Sequence, residues 1–396
     1  MLNSNLALLP DYPFDRLRRL LGGVEPPPGM APLVLSLGEP QHPYPDLVRE
    51  VLAASAHLYG KYPPLAGTPE LREAIRDWLI RRYGLPADFI DRDRHICPVA
   101  GTKEGLFMAA LAAVPPAKAG LRPAVLMPNP FYQCYAGAAV AAGAEPLYLP
   151  ATRQTGFLPD FQAVPEATLA RTALVYLCSP ANPQGSAASL DYLKDLLGLA
   201  RRFDFILVID ECYAEIYLGA APVGALQAAA ALGQGLDRLM VFHSLSKRSS
   251  VPGLRSGFAA SDERLMKAFL RLREYGGTAS PLPVYAAATA LWREESHVEA
   301  NRSLYRQKFE LAERALSNRF GFYRPDGGFF LWLEVGDGEQ AGKRLWQEAA
   351  VRVLPGAYLA QANAEGDNPG QSYIRVALVG DAASTAEALS RLGAVL

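Results

Sequence analysis

The spacing of apolar positions changes along this chain. From about residue 95, short apolar runs recur: Ile96 to Val99, Ala124 to Met127, Leu174 to Cys178, Ile206 to Ile209, Leu239 to Phe242 and Gly257 to Ala260. They are too short for stable helices and are bounded by polar or turn-forming residues, so each predicts a buried strand. Glu104 to Ala113 and Leu190 to Arg202 lie between them with helical length and periodicity. Strands alternating with helices imply an α/β domain with a mostly parallel sheet. After Pro281 and Pro283 the pattern becomes one long charged helical stretch, about Val284 to Asn318. Phe329 to Val335, Glu339 to Ala349 and Ile374 to Leu378 follow, predicting a smaller α+β domain joined through a connecting helix. Near the start, an amphipathic segment leads into the Pro-rich stretch Glu25 to Pro32, which reads as an extended connector.

Composition narrows the possible partners. A chain of 396 residues exceeds what one core usually fills, which favours two domains. The net charge of −1 offers no basic excess for nucleic acid or an anionic membrane surface, leaving a small molecule as the expected partner. Cys97, Cys134, Cys178 and Cys212 are too far apart for a zinc site or a disulfide scaffold, so no metal is expected and a reducing cytoplasm fits. No apolar run approaches the roughly 20 residues that span a bilayer, and no signal-peptide core precedes Pro10, so a soluble cytoplasmic protein is expected.

In open α/β sheets the ligand sits beyond the carboxyl ends of the strands. Just after strand-like runs come Gly101-Thr102-Lys103, Asn129 to Tyr132, Asn182-Pro183-Gln184-Gly185, Asp210-Glu211-Cys212-Tyr213 and Ser244-Leu245-Ser246-Lys247. Singly these are ordinary: Gly-Thr-Lys starts helices more often than it cradles phosphate, and Asn-Pro is usually a turn. Lys247 is more informative, because burial at a strand end lowers an amine's pKa and makes it nucleophilic. Ser244 lies three residues before it and Arg255 eight after. Together they supply an imine-forming amine, a hydroxyl and a guanidinium, which suits a phosphate-bearing aldehyde cofactor.

With motifs from Gly38-Glu39-Pro40 to Arg375, the chain resembles the class I/II aminotransferases of the fold-type I pyridoxal-phosphate superfamily over essentially its whole length. The resemblance implies a seven-stranded, mostly parallel sheet between helices in a large domain (46–283), a connecting helix and small domain (284–396), and an N-terminal segment (1–45) that joins the small domain. It implies pyridoxal 5′-phosphate bound to Lys247 as a Schiff base, with Lys247 then moving the proton between the substrate α-carbon and the cofactor. Asp210 would pair with the pyridine nitrogen, Tyr213 and Asn182 would bond the ring hydroxyl, and Tyr132 would stack on the ring. Gly101, Thr102 and Lys103 would hold the phosphate at a helix N-terminus with Ser244 and Arg255. Tyr62, in Lys-Tyr-Pro-Pro-Leu-Ala-Gly-Thr-Pro-Glu-Leu-Arg, would reach a neighbouring subunit's phosphate, implying a homodimer with shared active sites. Arg375 would fork the substrate α-carboxylate, with Asn182 beside it and Gly38 closing from the N-terminal segment.

Within the superfamily, Tyr12 to Leu17, Gly38 to Pro43, Pro128 to Tyr132 and Ser244 to Ser249 look most like bacterial N-succinyl-L,L-diaminopimelate aminotransferase of lysine biosynthesis. That subgroup passes an amino group from glutamate to N-succinyl-2-amino-6-oxopimelate, giving 2-oxoglutarate. Lys61, Arg248 and Arg273 are candidates for the substrate's further carboxylates. Gln184 stands where the family commonly has Thr, and Ser250 where the subgroup often has Asn. Other amino-acid and keto-acid pairs (aspartate, alanine or aromatic), a pyridoxal-phosphate lyase and a non-catalytic binding module are the alternatives. The module is disfavoured by the retention of Lys247, Asp210 and Arg375.

Overall fold

The computed structural model describes residues 4–396, so the first three residues of the N-terminal segment lie outside the described residues. A short β1 (Leu33–Val34) precedes seven strands that share one sheet: β2 (Ile96–Val99), β3 (Ala124–Asn129), β4 (Glu145–Pro150), β5 (Thr172–Cys178), β6 (Ile206–Asp210), β7 (Leu239–Ser244) and β8 (Gly257–Ser261). Their order is β2-β8-β7-β6-β5-β3-β4, and only β8 runs against its neighbours. All six predicted strands are present. The seventh, β4, has the sequence Glu-Pro-Leu-Tyr-Leu-Pro and is only partly buried. As an edge strand it tolerates prolines and a charge, and so lacks the apolar run that marks the others.

The central strands are buried at every position and apolar up to their carboxyl ends because both faces are covered. Side chains alternate between two cores: Leu126, Val175, Leu177, Leu207, Ile209 and Val241 pack on one face. Val125, Met127, Leu174, Tyr176, Val208 and Phe242 pack on the other. Helix signals hold in the same way. Thr68 accepts a hydrogen bond from the Leu71 N–H, Pro69 opens the helix Pro69–Tyr83, and Gly84 ends it in the left-handed region.

The remainder forms a smaller core. Strands β9 (Phe330–Glu334), β10 (Val351–Arg352), β11 (Leu354–Pro355) and β12 (Tyr373–Ala377) follow, with β11-β12-β9 antiparallel and β10 parallel to β1. The Leu35 N–H donates to the Arg352 carbonyl and the Ala377 N–H to the Leu35 carbonyl, seating the N-terminal segment on these strands. The single helical stretch expected over Val284 to Asn318 is two helices, Leu282–Arg293 and Ser296–Leu316. Glu294 is extended there, and its carboxylate accepts from the Ser296 and His297 N–H groups, capping the second helix. With its large sheet between helices and its smaller sheets, the protein has the fold-type I architecture.

The helix Thr102–Ala113 lies close to the sheet at Gly105, where an added Cβ would come within 2.6 Å of the Phe242 ring. We expect Gly105→Val to lower stability by roughly 2 kcal/mol through overpacking, read as a lower urea midpoint at unchanged slope. An unchanged midpoint would mean the helix can move off the sheet at no cost.

Candidate active site

The carboxyl ends of the parallel strands meet on one edge of the sheet. Asp210 is the last residue of β6 and Ser244 the last of β7. Because β8 is antiparallel, its start lies at the same edge, which brings Arg255 to the others. A cavity of about 300 Å³ opens there. Of the residues singled out from the sequence, Gly38, Thr102, Lys103, Tyr132, Asn182, Asp210, Tyr213, Ser244, Lys247, Arg255 and Arg375 all line it, whereas Gly101, Tyr62 and the three candidate cations Lys61, Arg248 and Arg273 do not.

Three of these groups are buried charges or potential charges without counter-ions. Asp210 accepts hydrogen bonds from the Tyr135 hydroxyl (2.8 Å) and the Cys212 N–H (3.2 Å). Among the described residues no cationic side chain forms an ion pair with it, and burial raises its pKa despite those bonds. Arg375 donates to Asn182 Oδ1 (3.1 Å) and to the Ser36 carbonyl (2.8 Å), and its guanidinium lies 4.3 Å from the Phe330 ring centroid. Its Nε has no partner, and burial lowers its pKa to about 10. Lys247 follows Ser244 on the short helix Leu245–Arg248, and its Nζ donates to the Gly38 carbonyl at 2.7 Å. Burial, aided by the positive Arg375, lowers this amine to about 8.

The phosphate-side residues also leave room for a missing charge. Gly101 caps the helix Thr102–Ala113 with φ of 84°, and a Cβ there would fall 2.1 Å from Arg255 Nη2. The glycine is therefore what allows a guanidinium beside a helix N-terminus. Both are electropositive, so the pairing is unfavourable unless an anion lies between them. Ser244 accepts from the Ser246 N–H at 3.1 Å, and Lys103 stands exposed at the mouth, 5.7 Å from the Tyr12 ring centroid. Tyr132 packs edge-on against Tyr135, and Tyr213 against Phe329 and Phe330. A cradle for an anion, a buried carboxylate and a depressed amine suit pyridoxal phosphate in donor type and in charge.

Some expectations are overturned and some residues were missed. Arg248 lies between Trp78 and Trp292 and donates to the Leu291 and Glu294 carbonyls and to Glu295. Arg273 is fully buried, donating to Glu104, Cys97 Sγ and the Pro98 and Thr278 carbonyls. Both guanidiniums are consumed by the core, and neither reaches the cavity as a distal carboxylate ligand would. Lys61 sits on a loop outside the cavity, beside the fully exposed Tyr62, whose expected contact is with a neighbouring subunit and not with its own cavity. Asn129 spends both ends of its amide on the Gln361 backbone. Gln184 turns to the Ala151 carbonyl, away from the cavity. Tyr135, the partner of Asp210, was not anticipated from the sequence; its one signal is the three-residue step from Tyr132 along the helix Gln133–Ala141. Tyr12 and Phe330 complete the walls.

The model of the family "Aminotransferase class I and II" matches residues 32–392. An aminotransferase of Neisseria meningitidis of known structure is 44% identical, with a TM-score of 0.94 and 99% of both chains covered. The 4-dedimethylamino-4-oxo-anhydrotetracycline transaminase OxyQ of Streptomyces rimosus is 33% identical over 97% of this chain and 99% of its own. The LL-diaminopimelate aminotransferase of Desulforudis audaxviator is 30% identical over 97% of this chain and 95% of its own. With this match over nearly its whole length and a site of this composition, the chain belongs to the class I and II aminotransferases, pyridoxal-phosphate enzymes that act on amino acids and keto acids.

Proposed function

We propose that the protein transfers an amino group from glutamate to N-succinyl-2-amino-6-oxopimelate, working as a homodimer with shared active sites. The observation that carries the chemistry is the set of uncompensated groups in one cavity: a buried carboxylate without a cation, a buried guanidinium without a carboxylate, and an amine of lowered basicity. The diaminopimelate skeleton is supported by the four sequence motifs and by the Desulforudis relative. The Streptomyces relative supports a second reading, in which the acceptor is another keto compound. Dimer formation is supported by the exposed Tyr62 and by an apolar groove beside the cavity mouth, lined by Leu9, Phe107 and Leu111.

Bound pyridoxal phosphate supplies an aldehyde that condenses with amines and a ring that takes up electrons from the substrate α-carbon. Asp210 would hold a proton on the ring nitrogen, and Tyr135 and the Cys212 N–H keep its carboxylate in place. Gly101, Thr102 and Lys103, with Ser244 and Arg255, hold the phosphate. Tyr132 would pack on the ring, and Tyr213 and Asn182 would hydrogen-bond its hydroxyl; all three line the cavity. Arg375 takes the substrate α-carboxylate through its two Nη groups, and Asn182, already bonded to it, fixes the fork. Lys247 moves the proton at the α-carbon, a task that needs a neutral amine, and the buried site favours that form.

Three measurements test this reading. The visible band of the purified holoprotein should disappear on adding glutamate and return with N-succinyl-2-amino-6-oxopimelate. A return only with other keto acids would retain the aminotransferase and overturn the acceptor. In the cofactor-free protein, labelling of Lys247 by an amine-reactive reagent should rise through a midpoint near pH 8, since only the neutral amine reacts, and not near the ordinary 10.5. A midpoint at the ordinary value would remove the argument for an activated amine. Arg375→Lys should weaken amino-acid binding about thirtyfold, on the order of 2 kcal/mol, with cofactor affinity unaltered, because only the forked contact is lost. Equal affinity for the amino acid would place its carboxylate elsewhere.

A further inference from the structure

Outside the cavity, at the backbone of Lys247, His42 joins two residues of one helix face, Asn301 and Lys308, into a polar chain, and Tyr305 between them packs on the His42 ring. Asn301, Tyr305 and Lys308 are spaced by four and three residues on the helix Ser296–Leu316 and so share one stripe. Lys308 is almost wholly buried, and its Nζ is 2.7 Å from His42 Nε2 and 2.9 Å from the Gly380 carbonyl. The His42 ring packs on the Tyr305 ring at 4.4 Å, and its Nδ1 is 2.6 Å from Asn301 Oδ1. Asn301 Nδ2 donates to the carbonyls of Lys247 (3.2 Å) and Arg248 (3.4 Å), at the end of the short helix that carries the reactive amine.

The direction of this chain follows from donor and acceptor chemistry. The two carbonyls only accept, so the Asn301 amide nitrogen faces them and its oxygen faces His42. The oxygen only accepts, so His42 carries its proton on Nδ1. Its Nε2 is then an acceptor, and Lys308 donates to it. Burial, with Lys308 alongside, lowers His42 to about 4, which keeps the ring neutral at pH 7 as the chain requires. The segment bearing His42 is tied to the same turn at both ends: Lys247 Nζ donates to the Gly38 carbonyl, and Ser250 Oγ donates to the His42 carbonyl at 2.9 Å. The hydroxyl of Ser250, which stands where the subgroup often has Asn, thus has a structural partner.

We propose that Lys308, His42 and Asn301 are positioning residues that set the backbone at Lys247 and the Gly38 segment, and thereby the tightness with which the substrate α-carboxylate is held. The effect on substrate rests on the aminotransferase reading above; the hydrogen-bond chain itself does not.

The test uses the holoprotein. In ¹⁵N-histidine spectra at pH 7, with His42→Asn to assign the signal, the His42 ring should carry its proton on Nδ1, and a proton on Nε2 overturns the chain. Lys308→Met removes the donor and keeps most of the side chain. It should raise the dissociation constant for 2-methylglutamate, an analogue of the proposed donor that cannot lose an α-proton, about tenfold, while pyridoxal phosphate affinity stays within twofold. Lys308→Gln, which restores an N–H donor, should return the constant to within threefold of the unsubstituted protein. An unchanged constant in the Met variant, or equal losses in Met and Gln, overturns the proposal. If the unsubstituted holoprotein binds no amino acid at all, the aminotransferase reading fails and with it the effect on substrate, whereas the His42 tautomer still decides the chain: Nδ1–H supports it and Nε2–H overturns it.

Discussion

An ionised group without a counter-ion is among the least favourable things a protein can bury, and this cavity gathers candidates from the end of β6, the middle of β12 and the short helix after β7. Arg375 faces the cavity from β12 with one nitrogen unpartnered, and Asp210 faces it from β6 with only neutral donors. Each costs several kcal/mol unless a ligand of opposite charge arrives. The rest of the structure keeps these groups from relaxing. The two apolar cores fix the strands on both faces of the sheet, and Tyr135 and Asn182 hold the charged ends from behind. The cavity is thereby preorganised for a cationic partner at Asp210 and a carboxylate at Arg375.

Topology decides which residues can share that edge. Strands running in one direction deliver their carboxyl ends together, and the single reversed strand, β8, delivers its beginning. Arg255 therefore reaches the cavity from the far end of the same excursion that starts at Lys247. The N-terminal segment takes part by a different route. It crosses to the small core through β1 and Leu35, then leaves Gly38 against the reactive amine.

Much of this was legible in the sequence, for identifiable reasons. Strands covered on both faces carry near-continuous apolar runs, so β3, β5, β6 and β7 stand out, while β4 at the edge is free of that demand and does not. The polar clusters were visible because they interrupt apolar runs. What was hidden depends on distance in three dimensions. Nothing in the chain says that Arg248 is enclosed by two tryptophans or that Arg273 is consumed by Glu104 and carbonyls, so both passed for available cations. Tyr135 was hidden by the reverse effect: it looked like an aromatic among alanines, and only the fold brings Asp210 to it across 75 positions. The interruption at Glu294 was hidden because a glutamate favours a helix interior and announces no cap there.

The approach of Arg255 to Gly101 also constrains how this site can vary through descent. A side chain at position 101 and a guanidinium from position 255 would occupy the same space, and φ of 84° disfavours any replacement for the glycine in its own right. The glycine cannot drift while the arginine keeps its place. A lineage that loses the arginine regains freedom only in part, because the backbone still turns the left-handed way, whereas one that loses the glycine must move the guanidinium off the helix N-terminus. Such one-way dependence would leave the pair fixed together across long divergence, while exposed neighbours such as Lys103 change freely in packing terms.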